Sequence, residues 1–341
     1  MSSMLSVLDF GPDKVIALIG AQKDEGAFDI LGAGDARARG VEGGEITHLG
    51  DAVESVVEAL RKAERAARFK VKKIVFNFDD AQMESVYSRA SKTLAGEGEI
   101  ERSDVEEVCG LAERLVARFE RGTVYAKPID FLIDDRDVVE NPVGVFGRKL
   151  GVTAHLLQAR SACLEAWQKL LDRAHVERGV PVLSAWSTAY GVLPREDRKR
   201  RRLIADAGSD FMNFFIFENN RITRYRALLN TKAEMKEWPA RALAVCRELM
   251  EGGSEVEEVL VTGDLAEEER CAKVFGEVFG ARFRVASPLG ISKLSGPRFS
   301  SAAGLLQVAG ELEKKGPVLS KDGGLLTGVK AKAKEFIDEY F

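Results

Sequence analysis

Two apolar segments of this chain end in the same short pattern, an aspartate followed by one residue and a glycine. The first reads Val7-Leu8-Asp9-Phe10-Gly11, and the second reads Leu203-Ile204-Ala205-Asp206-Ala207-Gly208. A further apolar run follows each segment, at 15–19 and at 211–217. A glycine turn between two apolar runs predicts a β-hairpin. One such segment alone is more typical of a strand that simply ends in a turn, but the pair favours a duplicated fold.

The composition is that of a soluble globular protein. The chain has 341 residues, of which 45% are hydrophobic and 30% charged, and its formal net charge is -4. This length predicts two domains or one bilobed unit, and the lack of a long apolar stretch or a leader segment predicts a cytoplasmic location. Cysteines and histidines are scattered without metal-ligand or catalytic-triad spacing, which predicts reduced buried thiols and no metal site built from these residues. They are Cys109, Cys163, Cys246, Cys271, His48, His155 and His175.

Residues 1–80 are predicted to form a first lobe. After the hairpin, 28–32 reads as a third strand, and the glycine-rich segment 39–46 reads as a loop that leads into a short strand. Apolar residues recur at helical spacing over 49–69, and 71–78 reads as a strand. This order of elements is typical of a layered α/β lobe.

Residues 81–158 have a different character and are predicted to form an inserted α+β subdomain. A helix is expected at 102–119, with Ser103 and Asp104 as caps. Strands are expected at 124–133 and 150–157, joined through an exposed turn at 141–147 that is rich in proline and glycine.

Residues 159–200 are predicted to return the chain to the first lobe and to connect it with a second lobe at 201–309. The basic run 195–202 lacks the wide basic face with interleaved aromatics that nucleic acid binding needs, so we interpret it as a solvated connector. The expected elements are a helix at 159–174, a strand at 179–183, a helix at 185–193, a hairpin at 204–217, strands at 222–229, 256–262 and 281–286, and helices at 234–250, 266–279 and 300–312.

The end of the chain is predicted to combine a linker at 310–324 with an amphipathic helix at 325–341. A short amphipathic helix beyond a linker is typical of a membrane-surface anchor. The acidic residues Glu335, Asp338 and Glu339 oppose anionic lipid, so docking on this chain or on a partner is the alternative. The apolar residues that would enter the membrane are Leu326, Val329, Phe336, Ile337, Tyr340 and Phe341.

Together these motifs resemble the FtsA family, the bacterial actin homologues that tether FtsZ filaments to the membrane. Leu8-Asp9-Phe10-Gly11 with Lys14 resembles the first phosphate hairpin of the family, 205–208 resembles the second, and Leu260-Val261-Thr262-Gly263 resembles its adenosine motif. Asn141-Pro142-Val143-Gly144 is similar to a segment of the subdomain peculiar to FtsA and its relatives. The resemblance implies an α/β fold of actin-like (ribonuclease H-like) duplicated lobes, an inserted SHS2-type subdomain and a C-terminal amphipathic helix.

The resemblance also implies where a nucleotide would bind. Backbone N–H groups of the two hairpins would hold its phosphates, and Asp9 and Asp206 would hold magnesium through water if nucleotide binds. The residues implied at this site are Asp9, Gly11, Lys14, Asp206, Gly208 and Gly263.

Four residues depart from the family pattern at that site. Pro12 has no backbone N–H to donate to a phosphate, and Asp210 brings a carboxylate to the second hairpin. Asp264 interrupts the glycine run of the adenosine motif, and Ser184 stands where the family has a glutamate near the catalytic water. These departures predict a degenerate nucleotide site, no bound cofactor and no ATP turnover.

One whole subdomain of the family is also missing. Only a short stretch separates the strand at 222–229 from the helix at 234–250, where the family inserts a subdomain that carries adenine contacts and the docking surface for FtsZ. We therefore predict a membrane-associated scaffold or adaptor at the division site, located at the inner face of the cell membrane. It would recruit FtsZ or another division protein and self-associate through the inserted subdomain, without a nucleic-acid partner.

Two alternatives remain open. The first is a working actin homologue that binds ATP with magnesium and polymerises. The second is a pilus-assembly adaptor like PilM, which shares the inserted subdomain. The turn at 39–40, the segment 141–147 and the amphipathic tail favour FtsA over PilM.

Overall fold

The structure is a computed structural model, and it describes residues 4–24, 27–229, 237–251, 253, 255–291 and 294–314. The chain divides into two compact units, of which the first comprises Met1–Ala81 and Glu165–Glu313 and the second contains Gln82–Leu164. The strands, in chain order, are β1 (Met4–Phe10), β2 (Lys14–Asp24), β3 (Ala27–Arg37), β4 (Val41–Glu42), β5 (Glu45–Ile46), β6 (Lys73–Phe78), β7 (Glu84–Glu99), β8 (Arg121–Ile133), β9 (Asp137–Val139), β10 (Phe146–Arg160), β11 (Arg178–Leu183), β12 (Arg202–Ala207), β13 (Phe211–Glu218), β14 (Arg221–Leu229), β15 (Glu258–Thr262) and β16 (Phe283–Val285). The α-helices are α1 (Leu49–Ala67), α2 (Arg102–Leu115), α3 (Ser161–Arg173), α4 (Ser184–Val192), α5 (Trp238–Met250), α6 (Glu269–Phe279) and α7 (Ser300–Lys314).

The first unit contains two five-stranded sheets that repeat one arrangement. Their strand orders are β11-β6-β1-β2-β3 and β14-β13-β12-β15-β16. In each sheet three consecutive strands form an antiparallel meander, and the first of the three also pairs in parallel with a later strand, β6 in one sheet and β15 in the other. The predicted hairpins and the predicted duplication are both confirmed.

Two glycines on β3 allow α1 to lie directly against the first sheet. A Cβ atom on Gly32 would lie 2.2 Å from the carbonyl oxygen of Ala63, and one on Gly34 would lie 2.2 Å from that of Ala59. Both distances are far below van der Waals contact, so only glycine permits this approach. The helix buries its alanine face there, with Ala59 and Ala63 both fully buried.

The second unit is a four-stranded sheet with one helix. Its strand order is β7-β10-β8-β9, with every neighbouring pair antiparallel. The helix α2 begins with a capping box between Glu101 and Asp104, and it packs its apolar face on the sheet around Phe131 and Leu156. This confirms the α+β character predicted for the insertion.

Several predicted boundaries are wrong in this second unit. The long strand β7 was not predicted, because its sequence between 84 and 99 is polar on one face and holds two glycines. The helix expected to reach residue 119 ends at Leu115, and Phe119 is fully exposed. The strand β10 begins at Phe146 and ends at Arg160, so it includes the last residues of the turn predicted at 141–147. The helix predicted to begin at residue 159 therefore begins at Ser161.

In the first unit the corrections are smaller. The helix α6 begins at Glu269 rather than at 266, and α7 continues to Lys314, so residues 310–314 of the predicted linker are helical. The predicted amphipathic helix at 325–341 and the rest of the linker lie outside the described residues. Among the described residues no helix is long and apolar enough to span a membrane.

Candidate functional site

The turns of the two predicted hairpins face each other across one cleft of the first unit. The β1–β2 turn contributes Gly11 and Pro12, and the β12–β13 turn contributes Gly208 and Asp210. The ring carbon Cγ of Pro12 lies 3.5 Å from the position that a Cβ atom on Gly208 would take. The cleft has a volume of about 100 Å³.

All six residues implied for nucleotide binding line this cleft. They are Asp9, Gly11, Lys14, Asp206, Gly208 and Gly263. Gly263 has φ +93°, and a Cβ there would lie 2.6 Å from the carbonyl oxygen of Ala207, so this position requires glycine. The structure therefore brings together residues that are separated by up to about three quarters of the chain.

The departing residues lie in the same cleft. Pro12, Ser184, Asp210 and Asp264 all line it. Six aspartates meet there in total, which are Asp9, Asp13, Asp79, Asp206, Asp210 and Asp264. The cationic side chains in the lining are Lys14 and Arg298.

Asp79 is a site residue that the sequence did not indicate. It directly follows β6, the strand that pairs in parallel with β1. Its carboxylate accepts a hydrogen bond from Nδ2 of Asn213 at 3.2 Å, and the Tyr225 hydroxyl donates to Oδ1 of Asn213 at 2.6 Å. The ends of neighbouring parallel strands meet at one edge of a sheet, so an acidic residue directly after β6 lies near the end of β1. The sequence shows this acidic residue, but its place in the site becomes clear only once β6 is known to pair with β1.

Trp167 is a second residue that the sequence did not indicate. Its indole N–H donates to the carbonyl oxygen of Gly44 at 3.2 Å, and its ring centroid lies 4.4 Å from that of Phe10 in an edge-on arrangement. Asn77 holds the neighbouring backbone, since it accepts from the N–H of Phe10 at 2.6 Å and donates to its carbonyl at 3.1 Å. These contacts position Phe10 and Gly44, which both line the cleft.

Burial raises the pKa of the cleft carboxyl groups. Burial raises the pKa of Asp9 to about 7, with a further rise from the charge of Asp206 and an opposing effect of a hydrogen bond from Ser301. Burial likewise raises the pKa of Asp264 to about 6. The pKa of Asp79 and that of Asp206 are also raised, mainly by burial.

The backbone donors of both turns are largely used within the chain. The N–H of Gly11 donates to the carbonyl of Lys14 at 2.9 Å, and Pro12 has no N–H. The carboxylate of Asp210 accepts a hydrogen bond from the N–H of Gly43 at 3.2 Å. The backbone N–H groups of Asp210 and Phe211 also hydrogen-bond to this carboxylate and lower its pKa, against the larger raising effect of burial.

The cationic side chains do not neutralise most of the carboxyl groups. Arg298 pairs with Asp13 at 2.9 and 3.0 Å from the two carboxylate oxygens. Within the part of the chain that the structure describes, no lysine, arginine or histidine pairs with the other five, which are Asp9, Asp79, Asp206, Asp210 and Asp264. Asp206 instead accepts from the Thr188 hydroxyl at 2.6 Å.

The described residues contain no preformed cluster of metal ligands. In the described ranges, no group of three or more histidine, cysteine, aspartate or glutamate side chains is arranged to hold a metal ion. Asp9 and Asp206, the residues implied for magnesium, both line the cleft, and the charge of Asp206 raises the pKa of Asp9. Their role toward a metal stays a prediction.

The basic run 195–202 is tied to acidic groups of the same chain. Arg201 pairs with Glu218 at 2.8 Å, and Arg202 pairs with Glu257 at 3.0 Å. Arg198 is buried, and its guanidinium lies 3.8 Å from the ring centroid of Tyr190. These pairings leave little free positive charge for a nucleic acid. The run is not fully solvated as predicted, because Arg198 and Arg202 are both buried.

The comparisons with known proteins agree with this geometry. Residues 81–158 match the model of the SHS2 domain inserted in FTSA. The chain is also 23% identical over 351 aligned positions to cell division protein FtsA of Neisseria meningitidis serogroup B, with 98% of this chain and 82% of the relative covered. The chain is thus similar to FtsA over nearly its whole length, and its second unit matches the FtsA-type SHS2 domain.

Other FtsA relatives align over a shorter range. FtsA of Rhizobium meliloti is 27% identical over 238 positions, covering 67% of this chain and 53% of the relative. FtsA of Escherichia coli K12 is 24% identical over 210 positions, covering 62% of this chain and 50% of the relative. The chain thus spans about half the length of these two relatives.

Solved structures support an actin-like fold for this chain. A chain of the PilM–PilN type IV pilus biogenesis complex superposes with a TM-score of 0.64 at 14% identity, covering 91% of this chain and 99% of that one. MreB5 of Spiroplasma citri bound to ADP superposes with a TM-score of 0.52 at 10% identity, covering 93% and 99%. At these identities the likeness shows the actin-like fold alone.

Proposed function

We propose that this FtsA-type protein is a cell-division scaffold or adaptor that works at the membrane without a bound nucleotide. The names of its curated relatives and the match at 81–158 support the link to cell division. The absence of a bound nucleotide is argued from the cleft, and the membrane contact is argued from the sequence at 325–341.

The observation that carries the nucleotide-free function is the position of the Asp210 carboxylate. It accepts hydrogen bonds from the N–H groups of its own turn and from that of Gly43. In an actin-like site, backbone N–H groups of such a turn are the donors that would grip phosphate. Here an internal anion takes those donors, so a phosphate group would have to displace it.

Electrostatics acts in the same direction. Five cleft carboxyl groups have no cationic partner among the described residues. Two like unit charges 4 Å apart repel by about 4 kcal/mol at an effective dielectric constant of about 20. Because burial raises the pKa of these groups, that of Asp9 to about 7 and that of Asp264 to about 6, the repulsion of a triphosphate grows as the pH rises through these values. Lys14 is the lysine in the lining.

The residues that would contact a nucleotide under the alternative function are the six that line the cleft, Asp9, Gly11, Lys14, Asp206, Gly208 and Gly263. Thermal unfolding of the full chain, with and without millimolar ATP and magnesium, distinguishes the nucleotide-free scaffold from the ATP-binding alternative. For the scaffold we expect the same unfolding midpoint within about 1 °C, because only a ligand that binds the native state raises the midpoint. A saturable rise would instead support an ATP-binding actin homologue.

The proposed membrane contact lies in the segment 325–341, outside the described residues. Its apolar residues Leu326, Val329, Phe336, Ile337, Tyr340 and Phe341 would enter the lipid surface. Co-sedimentation with liposomes should be lost when 325–341 is deleted. Equal sedimentation of the deleted and the full chain would disprove this part.

The proposed partners are a division protein, FtsZ or another, and a second copy of this chain. Self-association would use the inserted subdomain at 81–158. The location that follows is the cytoplasmic face of the cell membrane, as a peripheral protein. Analytical ultracentrifugation of the full chain and of a chain without 81–158 tests the self-association, which should require the subdomain.

A further inference from the structure

One edge of the first sheet carries a dense group of basic side chains. It is formed where α1 ends and β6 begins, over residues 65–73, which contain five lysines and arginines and no acidic residue. All five side chains are exposed. We call this group the basic edge, and its members are Arg65, Arg68, Lys70, Lys72 and Lys73.

The protein neutralises only part of this charge. Two of the five cations pair with acidic residues, Lys70 with Glu64 at 2.9 Å and Lys72 with Glu177 at 3.2 Å. The other three form no ion pair with any residue that the structure describes. The whole chain has a net charge of -4, so this local positive excess does not follow from its composition.

The fold itself does not require these cations. The helix dipole favours a basic residue in the last turn of a helix, which explains Arg65. Lys72 and Lys73 lie beyond that turn, where the dipole has little effect. Arg68 has φ +51°, in the left-handed region where glycine is the usual residue after a helix. The basic edge therefore fits a negatively charged partner outside the protein.

The helix α7 ends at the same edge of the sheet. A Cβ atom on Gly310 would lie 3.1 Å from Cζ of Phe28 and 3.3 Å from Oε1 of Gln22. Gln22 is near the end of β2, which lies beside the start of β1, and β1 pairs in parallel with β6 in the register Val7 to Val75. The last turns of α7 and the start of β6 therefore lie at one edge.

The segment proposed to contact the membrane is attached at this edge, because residues 315–341 follow α7 in the sequence. Its part at 325–341 contains three lysines and three acidic residues, so its net charge is zero. Amphipathic segments bind membranes through burial of apolar side chains together with attraction of basic groups to anionic lipid. The tail supplies the apolar side chains, and the basic edge supplies the positive charge.

We propose that the basic edge is a second membrane contact, which lies against the headgroups of anionic phospholipids. This inference rests on the proposed membrane function and names the class of lipid that the protein selects. The cleft lies at the other end of β6, since Asp79 lines it and directly follows this strand of six residues. At about 3.3 Å per residue the two ends are about 20 Å apart, so binding through the basic edge turns the cleft away from the bilayer.

A nucleic acid or an acidic peptide would meet the same cations. The end of α7 favours the membrane, because it attaches the apolar tail segment beside the basic edge and brings both to one lipid surface. The basic edge is also short, with Phe69 as the aromatic residue within it, whereas nucleic acid binding needs a wider basic face with interleaved aromatics.

The test is co-sedimentation of the full chain with two kinds of vesicle, phosphatidylcholine alone and an equal mixture of phosphatidylcholine and phosphatidylglycerol. The natural chain should bind the anionic vesicles at least about tenfold more strongly at low salt, and high salt should reduce this preference. Equal binding to both kinds of vesicle would overturn the proposal, and this comparison needs no variant.

Two double variants locate the contact. Arg65→Gln with Lys73→Gln removes two unpaired cations of the basic edge and should weaken binding to anionic vesicles at least about fivefold. The matched control, Arg37→Gln with Arg39→Gln, removes two exposed cations at the cleft end of the same sheet and should leave binding unchanged. An equal loss in both double variants would show a general effect of net charge and would overturn the proposal.

Deletion of 325–341 separates this proposal from the proposed function. If the deletion abolishes binding while the basic-edge variant binds like the natural chain, the second contact is disproved and the proposed tail contact stands. If the deleted chain still binds anionic vesicles and the basic-edge variant does not, the tail contact fails and the second contact stands. Binding of a short DNA duplex or of polyglutamate, without binding to either kind of vesicle, would overturn both.

Discussion

The carboxylate of Asp210 accepts a hydrogen bond from the backbone N–H of Gly43 at 3.2 Å, across 167 residues of sequence. This contact joins the β12–β13 turn of the second sheet to the β4–β5 turn that follows the first sheet. Through this hydrogen bond, the Asp210 carboxylate of the protein itself links the two sides of the cleft.

The contact of Asp210 predicts a difference between two substitutions. Asp210→Asn keeps an oxygen acceptor for the N–H groups, so we expect the free energy of unfolding to change by less than about 0.5 kcal/mol. Asp210→Ala leaves these donors without an acceptor and should lower it by about 1–3 kcal/mol. Urea unfolding measures both, and equal losses in the two variants would show that the hydrogen bonds do not matter.

The raised pKa of Asp9 predicts that stability falls as the pH rises. The folded pKa is about 7 and the ordinary value is 3.8, so between these values the folded state binds more protons than the unfolded state. Each unit of this shift corresponds to about 1.4 kcal/mol. The contribution of Asp9 is therefore present at pH 4 and is lost progressively up to pH 7.

Urea unfolding of the full chain at pH 5 and pH 8 tests this, with Asp9→Asn as the comparison. The neutral asparagine removes the titration, so the variant should lose less stability than the natural chain between the two values. Asp264, whose pKa burial raises to about 6, titrates in the same window and leaves a residual slope. An unchanged slope in Asp9→Asn would contradict the assignment.

The close packing of α1 on β3 predicts opposite effects for two glycines. A Cβ on Gly34 would lie 2.2 Å from the carbonyl oxygen of Ala59, so Gly34→Ala must displace the helix and should lower stability by about 1–3 kcal/mol. Gly50, in the first turn of α1, has no atom within 4 Å of the same position. Gly50→Ala should therefore be neutral or stabilise by up to about 1 kcal/mol, and thermal unfolding compares the two.

The buried Arg198 predicts that lysine cannot replace it. Its guanidinium donates to the carbonyl oxygens of Leu193 and Tyr190 at 3.3 Å each and to Oε1 of Gln307 at 2.5 Å. Lysine has no planar fork with which to reach these acceptors, so Arg198→Lys should lower the free energy of unfolding by about 2–3 kcal/mol. The matched control is Arg200→Lys, since that side chain is 58% exposed and its ion pairs contribute little.

The sequence predicted the two hairpins because glycine turns between apolar runs leave a local signature. Asp9 and Asp206 follow from those hairpins, and both lie in the cleft. Asp79 and Trp167 could not be found in this way, since their positions depend on the parallel pairing of β6 with β1 and on the docking of α3. A pairing between distant strands is a property of the folded chain and has no local pattern.

The strand β7 was missed for a related reason. Its residues alternate between half-buried and exposed, with Arg89, Ser91 and Thr93 on the polar side. Such a strand is stabilised by pairing with β10 along twelve positions rather than by an apolar run of its own. The departures at Pro12 and Asp210 were visible in the sequence, but the hydrogen bond of Asp210 to Gly43 appears only in the fold.

We propose that carboxyl groups of the protein itself occupy the phosphate-facing turns of the cleft, so that it binds no nucleotide. Isothermal titration calorimetry of the full chain with ATP and magnesium tests it most directly. We expect heats that equal those of dilution, at ATP concentrations up to the millimolar range. A saturable isotherm with micromolar affinity would contradict it and would make this chain a compact ATP-binding actin homologue.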